Sequence, residues 1–408
     1  MIKRIKRKLL TYIEKIQFAV KAIPANYLYP SHKSFIALDD IYPLPLSAFR
    51  VAEFNYYLSS FPDAVVYTTG STFAFVNESR SLDNVIASHE LQNPEYAGRV
   101  IKFNPYHNLK ADLIYCVFLH NAYNFLPIIE RNSTPFVFTL YPGGGFHLHG
   151  ANSDRMLRTV FKSPLFRKVI VTQNITYNYL IENRFCQPEQ VEFVYGVVTP
   201  VENLITNQTI RQQMGKTKDT FDICFVASKY MPLGIDKGYD TFIEVAKHLS
   251  NRYTNIQFHV VGGFDEADID VSGMTNIFFY GPQKTAFFAD FYQRMDIILA
   301  PNVPFKLVDG AFDGFPTGAC SEAGLMGVAL FCSDVLEQNI YFEHQNDIVL
   351  TTNTANNIIS YIDYYYHHYD ELQQLAQRGR QKIQHIYSSE SQMLPRIELL
   401  KAVIAAEK

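Results

Sequence analysis

The chain alternates short apolar runs with longer amphipathic segments over most of its length. Thirteen of the runs are rich in β-branched or aromatic residues and are short enough to be buried strands. In the first half they lie at 34–40, 64–70, 100–105, 111–120, 134–142, 168–173 and 191–196, and in the second half at 221–228, 256–263, 276–282, 296–301, 327–333 and 347–352. Strands that alternate with helical segments form parallel sheets, so the pattern predicts an α/β protein with two sheets.

The two groups of strands are separated by a polar segment, and a length of 408 residues is enough for two sizeable domains. Residues 199–218 contain a proline and a glycine and lack an apolar period, so they are the predicted linker. We expect an N-terminal Rossmann-like domain at 1–198 and a C-terminal one at 219–385. A last helix, within residues 386–408, is expected to pack back toward the N-terminal domain.

The composition is that of a globular protein with large cores, since hydrophobic residues make up 48% of the chain and charged residues 19%. The formal net charge of −4 argues against a general nucleic-acid-binding protein. Five scattered cysteines without a CxxC pair are typical of reduced thiols in the cytoplasm, and no metal site is expected. No apolar run is long enough to span a membrane, so we expect a cytoplasmic protein.

The N-terminus has a different charge from the rest of the chain. Residues 1–22 contain seven basic residues and one acidic residue, interleaved with Ile, Leu, Tyr and Phe. Such a segment can lie on an anionic membrane surface, which would hold the protein at the inner face of the cell membrane. A solvated basic helix is the alternative.

The strongest chemical signal is DGFPTGACSEAGLMG at 313–327, between a predicted strand and an apparent helix. Ligands of open α/β sheets bind beyond the carboxyl ends of the strands, where this segment would lie. Gly314 and Gly318 allow close backbone approach, Pro316 stiffens the turn, and the N–H groups that begin the helix can bind an anion. Glu322 can accept two hydrogen bonds from a ribose diol. The segment therefore predicts a site for a nucleoside diphosphate.

This segment resembles the signature of the retaining, two-Rossmann-domain (GT-B) glycosyltransferases of family 4, the group 1 type. Their acid-Gly-Phe-Gly/Pro turn is matched at 313–316, their Glu-Ala pair at 322–323, and the start of the next strand at 327–330. The basic residue that follows the first strand of their C-terminal domain is matched by Lys229. The Lys-Gly pair that opens the next helix is matched by Lys237 and Gly238.

The resemblance implies two Rossmann-like domains facing a cleft, and a retaining, metal-independent transferase that takes a nucleotide sugar as substrate and needs no cofactor. It implies that Lys229 and Lys237 contact the donor diphosphate, that Glu322 holds the ribose and that Asp313 faces the donor sugar. Asp313 and Glu322 enclose eight residues, one more than the usual spacing, so Asp309 is the alternative first acid. The full donor-binding prediction comprises Lys229, Lys237, Gly238, Gly262, Gly314, Phe315, Pro316, Thr317, Gly318 and Glu322.

Family members often place a histidine of the N-terminal domain near the bond that is broken. His120 ends a predicted strand, whereas His147 and His149 follow a run of three glycines. A satisfied histidine at the edge of the core is the alternative for His120. The predicted catalytic residues are Asp313, His120, His147 and Lys237, and the predicted acceptor-side residues are Gly143, Gly144, Gly145 and His149.

The implied function is transfer of a sugar from a nucleotide-diphosphate donor to a glycan or glycolipid acceptor, in the synthesis of cell-surface polysaccharide or lipopolysaccharide. The alternative is a catalytically silent subunit of the same fold that binds a glycan or a partner glycosyltransferase, which the shifted acid spacing favours. A nucleotide-sugar epimerase has the same two-domain layout, but it needs further acid and base residues that the sequence does not reveal.

Overall fold

The computed structural model describes residues 32–76, 78–200 and 211–407. The basic segment 1–22 lies outside the described residues, as do residues 201–210 of the expected linker, so membrane contact and the linker both stay predictions. Within the described ranges, none of the helices combines the length and the apolar character that crossing a membrane requires.

The N-terminal domain is built on a seven-stranded parallel sheet of order β3-β2-β1-β4-β5-β6-β7. Its strands are β1 Lys33–Asp39, β2 Val65–Thr68, β3 Val100–Lys102, β4 Ala111–Val117, β5 Phe136–Leu140, β6 Phe166–Val171 and β7 Val191–Phe193. The helices that cover the sheet are α1 Ala48–Ser60, α2 Leu82–Gln92, α3 Leu119–Asn132, α4 Ala151–Phe161 and α5 Asn174–Glu182.

The C-terminal domain contains a six-stranded parallel sheet of order β10-β9-β8-β11-β12-β13. Its strands are β8 Phe221–Val226, β9 Ile256–Val261, β10 Ile277–Phe279, β11 Ile297–Ala300, β12 Ala329–Ser333 and β13 Val349–Thr351. The helices that follow in this half are α6 Tyr239–Ser250, α7 Thr285–Tyr292, α8 Gly318–Leu325, α9 Ala355–His367, α10 Tyr369–Ile386 and α11 Ser389–Ala406.

The predicted fold class is confirmed, and each of the thirteen predicted strands has an observed counterpart. The central strands are buried on both faces, as parallel strands covered by helices are, which is why they appear as continuous apolar runs. Several strands are shorter than their runs. The run at 111–120 ends as a strand at Val117, because helix α3 begins at Leu119.

The last helix, α11, leaves the C-terminal sheet and packs on the N-terminal domain. Its apolar side chains belong to the same buried cluster as Phe35 and Tyr115 of the N-terminal sheet, and they are Met393, Ile397, Leu400, Val403 and Ile404. The helix contacts α1 and β4. The chain therefore crosses between the domains a second time, and α11 ties the end of the C-terminal domain to the N-terminal core.

Each sheet has one point at which the strand order reverses, between β1 and β4 in the first and between β8 and β11 in the second. Crevices at such switch points are the usual ligand sites of open α/β sheets. Asp40 follows β1 and His120 lies just beyond β4, whereas Lys229 follows β8 and Asn302 follows β11. The sequence therefore places charged and polar side chains at both switch points.

Candidate active site

The turn from Asp313 to Thr317 leads from β11 into helix α8. Thr317 caps the helix, because its Oγ1 accepts a hydrogen bond from the Cys320 amide at 3.5 Å. The Ser321 amide donates to the Thr317 carbonyl at 3.0 Å. Of the amides expected to bind an anion, that of Cys320 is thus used by the cap. Those of residues 317–319 have no acceptor among the described residues and are available to a ligand.

Glu322 lies within α8 and is half-buried. Burial raises its pKa to about 7. Its carboxylate has neither a hydrogen bond nor an ion pair with any of the residues that the structure describes. A half-buried acid without a donor is costly to ionise, so two hydroxyl groups of a ligand would relieve that cost.

Lys237 and Asp313 form an ion pair at the carboxyl edge of the C-terminal sheet. The Lys237 Nζ lies 2.7 Å from Asp313 Oδ1 and 2.8 Å from Oδ2, and the Asn302 side-chain amide donates to Oδ2 at 2.7 Å. Lys237 is only 8% exposed. Burial lowers its pKa, but the ion pair with Asp313 outweighs burial and raises the pKa overall. Asp309 has no ion pair among the described residues, which favours Asp313 as the first acid.

Two of the predicted donor-binding glycines are required by backbone packing. Gly238 has φ 70°, and a Cβ there would lie 2.1 Å from the Pro301 carbonyl oxygen. Gly262 has φ 136°, and a Cβ there would lie 1.9 Å from the Ala227 carbonyl oxygen. Gly238 thereby lets the start of α6 approach the end of β11, which brings Lys237 close to Asn302 and Asp313.

Lys229, the second predicted phosphate ligand, is held elsewhere. Its Nζ forms a short ion pair with Asp268, on the loop after β9. No contact joins it to Lys237 or to the 313–317 turn among the described residues. A diphosphate would therefore have to compete with Asp268 for Lys229.

A pocket opens beside the 313–317 turn, at the ends of β11 and β12. Its lining includes Asn302, Asp313, Thr317 and Gln338, but neither Lys237 nor Glu322. The side-chain amide of Gln338 donates to the Asp313 carbonyl at 3.0 Å and so fixes the first residue of the turn.

The N-terminal side of the cleft is organised around a pair of acids, Asp39 and Asp40, at the end of β1. Arg50 of α1 forms ion pairs with both acids, and His120 Nε2 lies 2.9 Å from Asp40 Oδ2. Sequence reasoning singled out His120 but missed Asp40 and Arg50. The available signal was the Asp-Asp pair at the carboxyl end of a strand.

The three predicted acceptor-side glycines form a left-handed turn, with φ of 84°, 53° and 86° at Gly143, Gly144 and Gly145. A Cβ on Gly144 would lie 2.3 Å from the Phe118 ring. The Gly144 carbonyl accepts hydrogen bonds from the backbone N–H of His120 at 3.0 Å and is 2.9 Å from its Nδ1. The turn and His120 are therefore one structural unit.

The other two candidate histidines, His147 and His149, make their contacts with other residues. The His147 amide donates to Ser153 Oγ at 3.0 Å, and burial lowers the pKa of its imidazole. The His149 amide donates to the Tyr179 hydroxyl at 2.7 Å, and its ring packs edge-on against Tyr179. No contact joins either ring to His120 or Asp313 within the described ranges.

The two domains contact each other next to the candidate site. The Leu148 amide donates to the Gly310 carbonyl at 2.9 Å, and Gln173 donates through Nε2 to the Phe315 carbonyl at 3.4 Å. The Phe146 and Phe312 rings pack edge to face, 5.9 Å apart. The acceptor-side loop and the 313–317 turn are thus held against each other. In the part of the chain that the structure describes, no group of three or more His, Cys, Asp or Glu side chains is arranged to hold a metal ion.

Comparisons with known proteins agree with this architecture. Residues 240–394 match the sequence family described as glycosyl transferase-like. A search among curated proteins finds no match. Sucrose-phosphate synthase from Thermosynechococcus elongatus has a TM-score of 0.63 at 13% identity, covering 92% of this chain and 100% of that chain. A glycosyltransferase from Rickettsia africae ESF-5 has a TM-score of 0.63 at 12% identity, covering 91% and 99%.

HepE of Anabaena, in complex with UDP and glucose, has a TM-score of 0.60 at 13% identity, covering 92% of this chain and 99% of that chain. At these identities the structural likeness shows the fold, which extends over both domains. The family match adds sequence evidence for the C-terminal half, where the 313–327 signature lies. The chain therefore has the two-domain GT-B fold, and its residues 240–394 are similar to the glycosyl transferase-like family.

Proposed function

We propose that this GT-B protein transfers a sugar, with retention and without a metal ion, from a nucleotide-diphosphate donor to a glycan or glycolipid acceptor. The observation that carries the proposal is Glu322, a half-buried carboxylate that lacks a partner among the described residues and follows the uncapped amides of residues 317–319. A nucleoside diphosphate supplies both missing partners, since its ribose diol donates to the carboxylate and its phosphates accept from the amides.

The Lys237 and Asp313 pair fits the sugar end of such a donor. Lys237 contacts both oxygens of Asp313, and Asn302 contacts Oδ2, so three of about four acceptor positions of the carboxylate are filled. One acceptor position on Oδ1 remains for a sugar hydroxyl. Lys237 meanwhile retains an N–H for a phosphate oxygen, since an ammonium has about three donors.

Positive charge near the phosphates is what the departing nucleoside diphosphate requires. Lys237, Lys229 and the amides of residues 317–319 are the groups proposed to supply it, which is why the mechanism is proposed to be metal-independent. Lys229 would leave Asp268 to take part. Retention rests on the resemblance of the 313–327 signature and is tested by an NMR assignment of the product linkage.

The acceptor and the cellular setting are proposed from the sequence. A role in cell-surface polysaccharide or lipopolysaccharide synthesis, on the cytoplasmic side of the membrane, agrees with the basic segment 1–22 and with the family resemblance. HepE was solved with UDP and with UDP-glucose, so UDP-sugars are the first donors to test.

The test is a panel of UDP-, GDP-, ADP-, CMP- and dTDP-sugars, measured both by thermal shift and by sugar hydrolysis or transfer. We expect one donor to stabilise the protein and to be turned over, and Glu322→Ala to lower kcat/KM at least tenfold. Glu244→Ala is the matched control, because Glu244 is an exposed glutamate of α6 in the same domain. Stabilisation without turnover would favour the catalytically silent subunit, and wild-type turnover of Glu322→Ala would contradict the site.

A further inference from the structure

Both ring nitrogens of His120 face atoms that can only accept hydrogen bonds. Nε2 lies 2.9 Å from Asp40 Oδ2, and Nδ1 lies 2.9 Å from the Gly144 carbonyl oxygen. A neutral imidazole carries one N–H, so it can satisfy only one of these two acceptors. An imidazolium carries two and satisfies both.

The hydrogen bonds around Asp40 favour its ionised form. Its Oδ1 accepts hydrogen bonds from Arg50 and from Asn121, and its Oδ2 accepts from Thr72 and contacts His120. Donors from several elements therefore surround both oxygens. These donors stabilise the carboxylate, so the proton between Asp40 and His120 is favoured on the histidine.

Of the charges around His120, Asp40 favours the protonated state and Arg50 opposes it. Asp40 approaches it from the end of β1 and Arg50 from α1, and Arg50 is itself divided between Asp39 and Asp40. Asp39 accepts from two backbone amides as well as from Arg50, but burial outweighs these contacts and raises its pKa. Arg50 is thus divided between two buried acids and does not serve Asp40 alone. Burial lowers the pKa of His120, but its hydrogen bond to Asp40 outweighs burial and raises the pKa overall.

We propose that Asp40 is a positioning residue which holds His120 as an imidazolium, so that His120 serves the cleft as a fixed cation rather than as a general base. The activity part of this inference rests on the proposed function. The protonation part does not, because it can be measured without a substrate.

The arrangement has a consequence for the acceptor-side turn. The imidazolium joins Asp40, at the switch point of the N-terminal sheet, to the carbonyl of Gly144. The Phe118 ring stacks on the imidazole at 5.8 Å and also occupies the space that a Cβ on Gly144 would need. Loss of the Nδ1 proton of His120 would therefore loosen the turn.

The direct test is the ¹⁵N spectrum of protein labelled at its twelve histidines. The His120 signals are assigned by their loss in His120→Gln, and His147, whose pKa burial lowers, is the reference for a neutral ring. At pH 7.5 we expect both His120 nitrogens to have the shift of protonated nitrogens. A single unprotonated nitrogen on His120 at this pH would overturn the proposal, and this measurement needs only the folded wild-type protein.

Asp40→Asn sharpens the test. The asparagine side-chain N–H₂ would donate to Nε2, so His120 should become neutral with its proton on Nδ1, facing Gly144. We expect Nε2 to move to the shift of an unprotonated nitrogen. Two protonated nitrogens in this variant would overturn the role of Asp40.

Activity separates the two possible roles of His120. If the imidazolium is the active form, kcat/KM falls as the pH rises through the His120 pKa, and Asp40→Asn moves that alkaline limb down by about one pH unit or more. A neutral general base would instead give an acidic limb, and that result would overturn the proposal. Two protonated nitrogens together with no turnover of any donor would leave the imidazolium intact and refute the proposed function instead.

Discussion

Two glutamates of this protein, the fully buried Glu53 and the half-buried Glu322, have opposite surroundings. Glu53 of α1 is 0% exposed and accepts hydrogen bonds from the hydroxyls of Tyr57, Tyr115 and Tyr141. Arg396 of α11 lies beside this cluster and contacts the Tyr141 hydroxyl at 3.4 Å. Glu322 of α8 has no such donor among the described residues.

The difference separates a structural acid from a candidate ligand-binding one. The donors around Glu53 come from α1, β4 and the end of β5, so its negative charge helps to hold the N-terminal core and α11 together. Glu322 has the desolvation cost of burial without those hydrogen bonds. Proteins retain such a cost where a ligand relieves it, because unpaired buried groups are otherwise selected against.

The largest expected effect is the loss of stability in Glu53→Ala. The substitution removes the carboxylate that accepts from three buried tyrosine hydroxyls, so the free energy of unfolding should fall by about 3 kcal/mol or more. Urea unfolding measures the change. Glu322→Ala is the matched comparison and should keep wild-type stability or exceed it. Equal destabilisation by both substitutions would contradict the distinction between the two acids.

Lys237→Ala should lower kcat/KM at least tenfold, because it removes the ammonium that contacts Asp313 and is proposed to bind the phosphates. Steady-state kinetics with the best donor of the panel measures the effect. Lys247→Ala is the control, since Lys247 is an exposed lysine of α6. A kcat/KM within twofold of wild type would remove Lys237 from the site.

Glu322→Gln should stabilise the ligand-free protein, but only at neutral and alkaline pH. Burial raises the pKa of Glu322 from 4.5 to about 7. The unfolded chain therefore loses this proton first as the pH rises, so ionisation costs stability increasingly between pH 4.5 and 7 and fully above that range. The gain at pH 8 should be on the order of 1 kcal/mol, and it should vanish near pH 4. A gain that does not change with pH would mean that Glu322 does not titrate as described.

The smallest expected effect is on the pH dependence of nucleotide affinity. The carboxylate accepts both hydroxyls of a ribose, whereas the protonated acid accepts fewer, so affinity should rise severalfold as the pH increases through about 7. Calorimetry at pH 6 and pH 8 measures this change, with Glu322→Gln as the variant that lacks it. An identical rise in that variant would assign the titration to another group.

The fold was predictable from the sequence because strands buried on both faces leave continuous apolar runs. The thirteen runs gave both sheets, and the change to a polar helical pattern marked the final helices. The ends of the strands were less predictable. The apolar run through Phe118 and Leu119 continues into α3, and its composition alone does not separate the last strand residue from the first helical one.

The residues on the donor side of the candidate site could be proposed from the sequence, because they lie close together in the chain or match a known signature. The contacts that organise the acceptor side could not be predicted in this way, because they join residues that are far apart in the sequence. Asp40 and His120 are 80 residues apart, and Gln173 and Phe315 are 142 apart. The ion pair between Lys229 and Asp268 was missed for the same reason. Only the fold shows which of these side chains meet.

The most direct test of the account is the affinity for a ribose diol. The tightest-binding nucleoside diphosphate of the panel and its 2′-deoxy analogue are compared by calorimetry at pH 8, in the wild type and in Glu322→Gln. We predict that the wild type binds the ribonucleotide about tenfold or more tightly than the deoxy analogue, and that Glu322→Gln loses most of this preference. An equal preference in both proteins would contradict the account, because the ribose would then be held by another group.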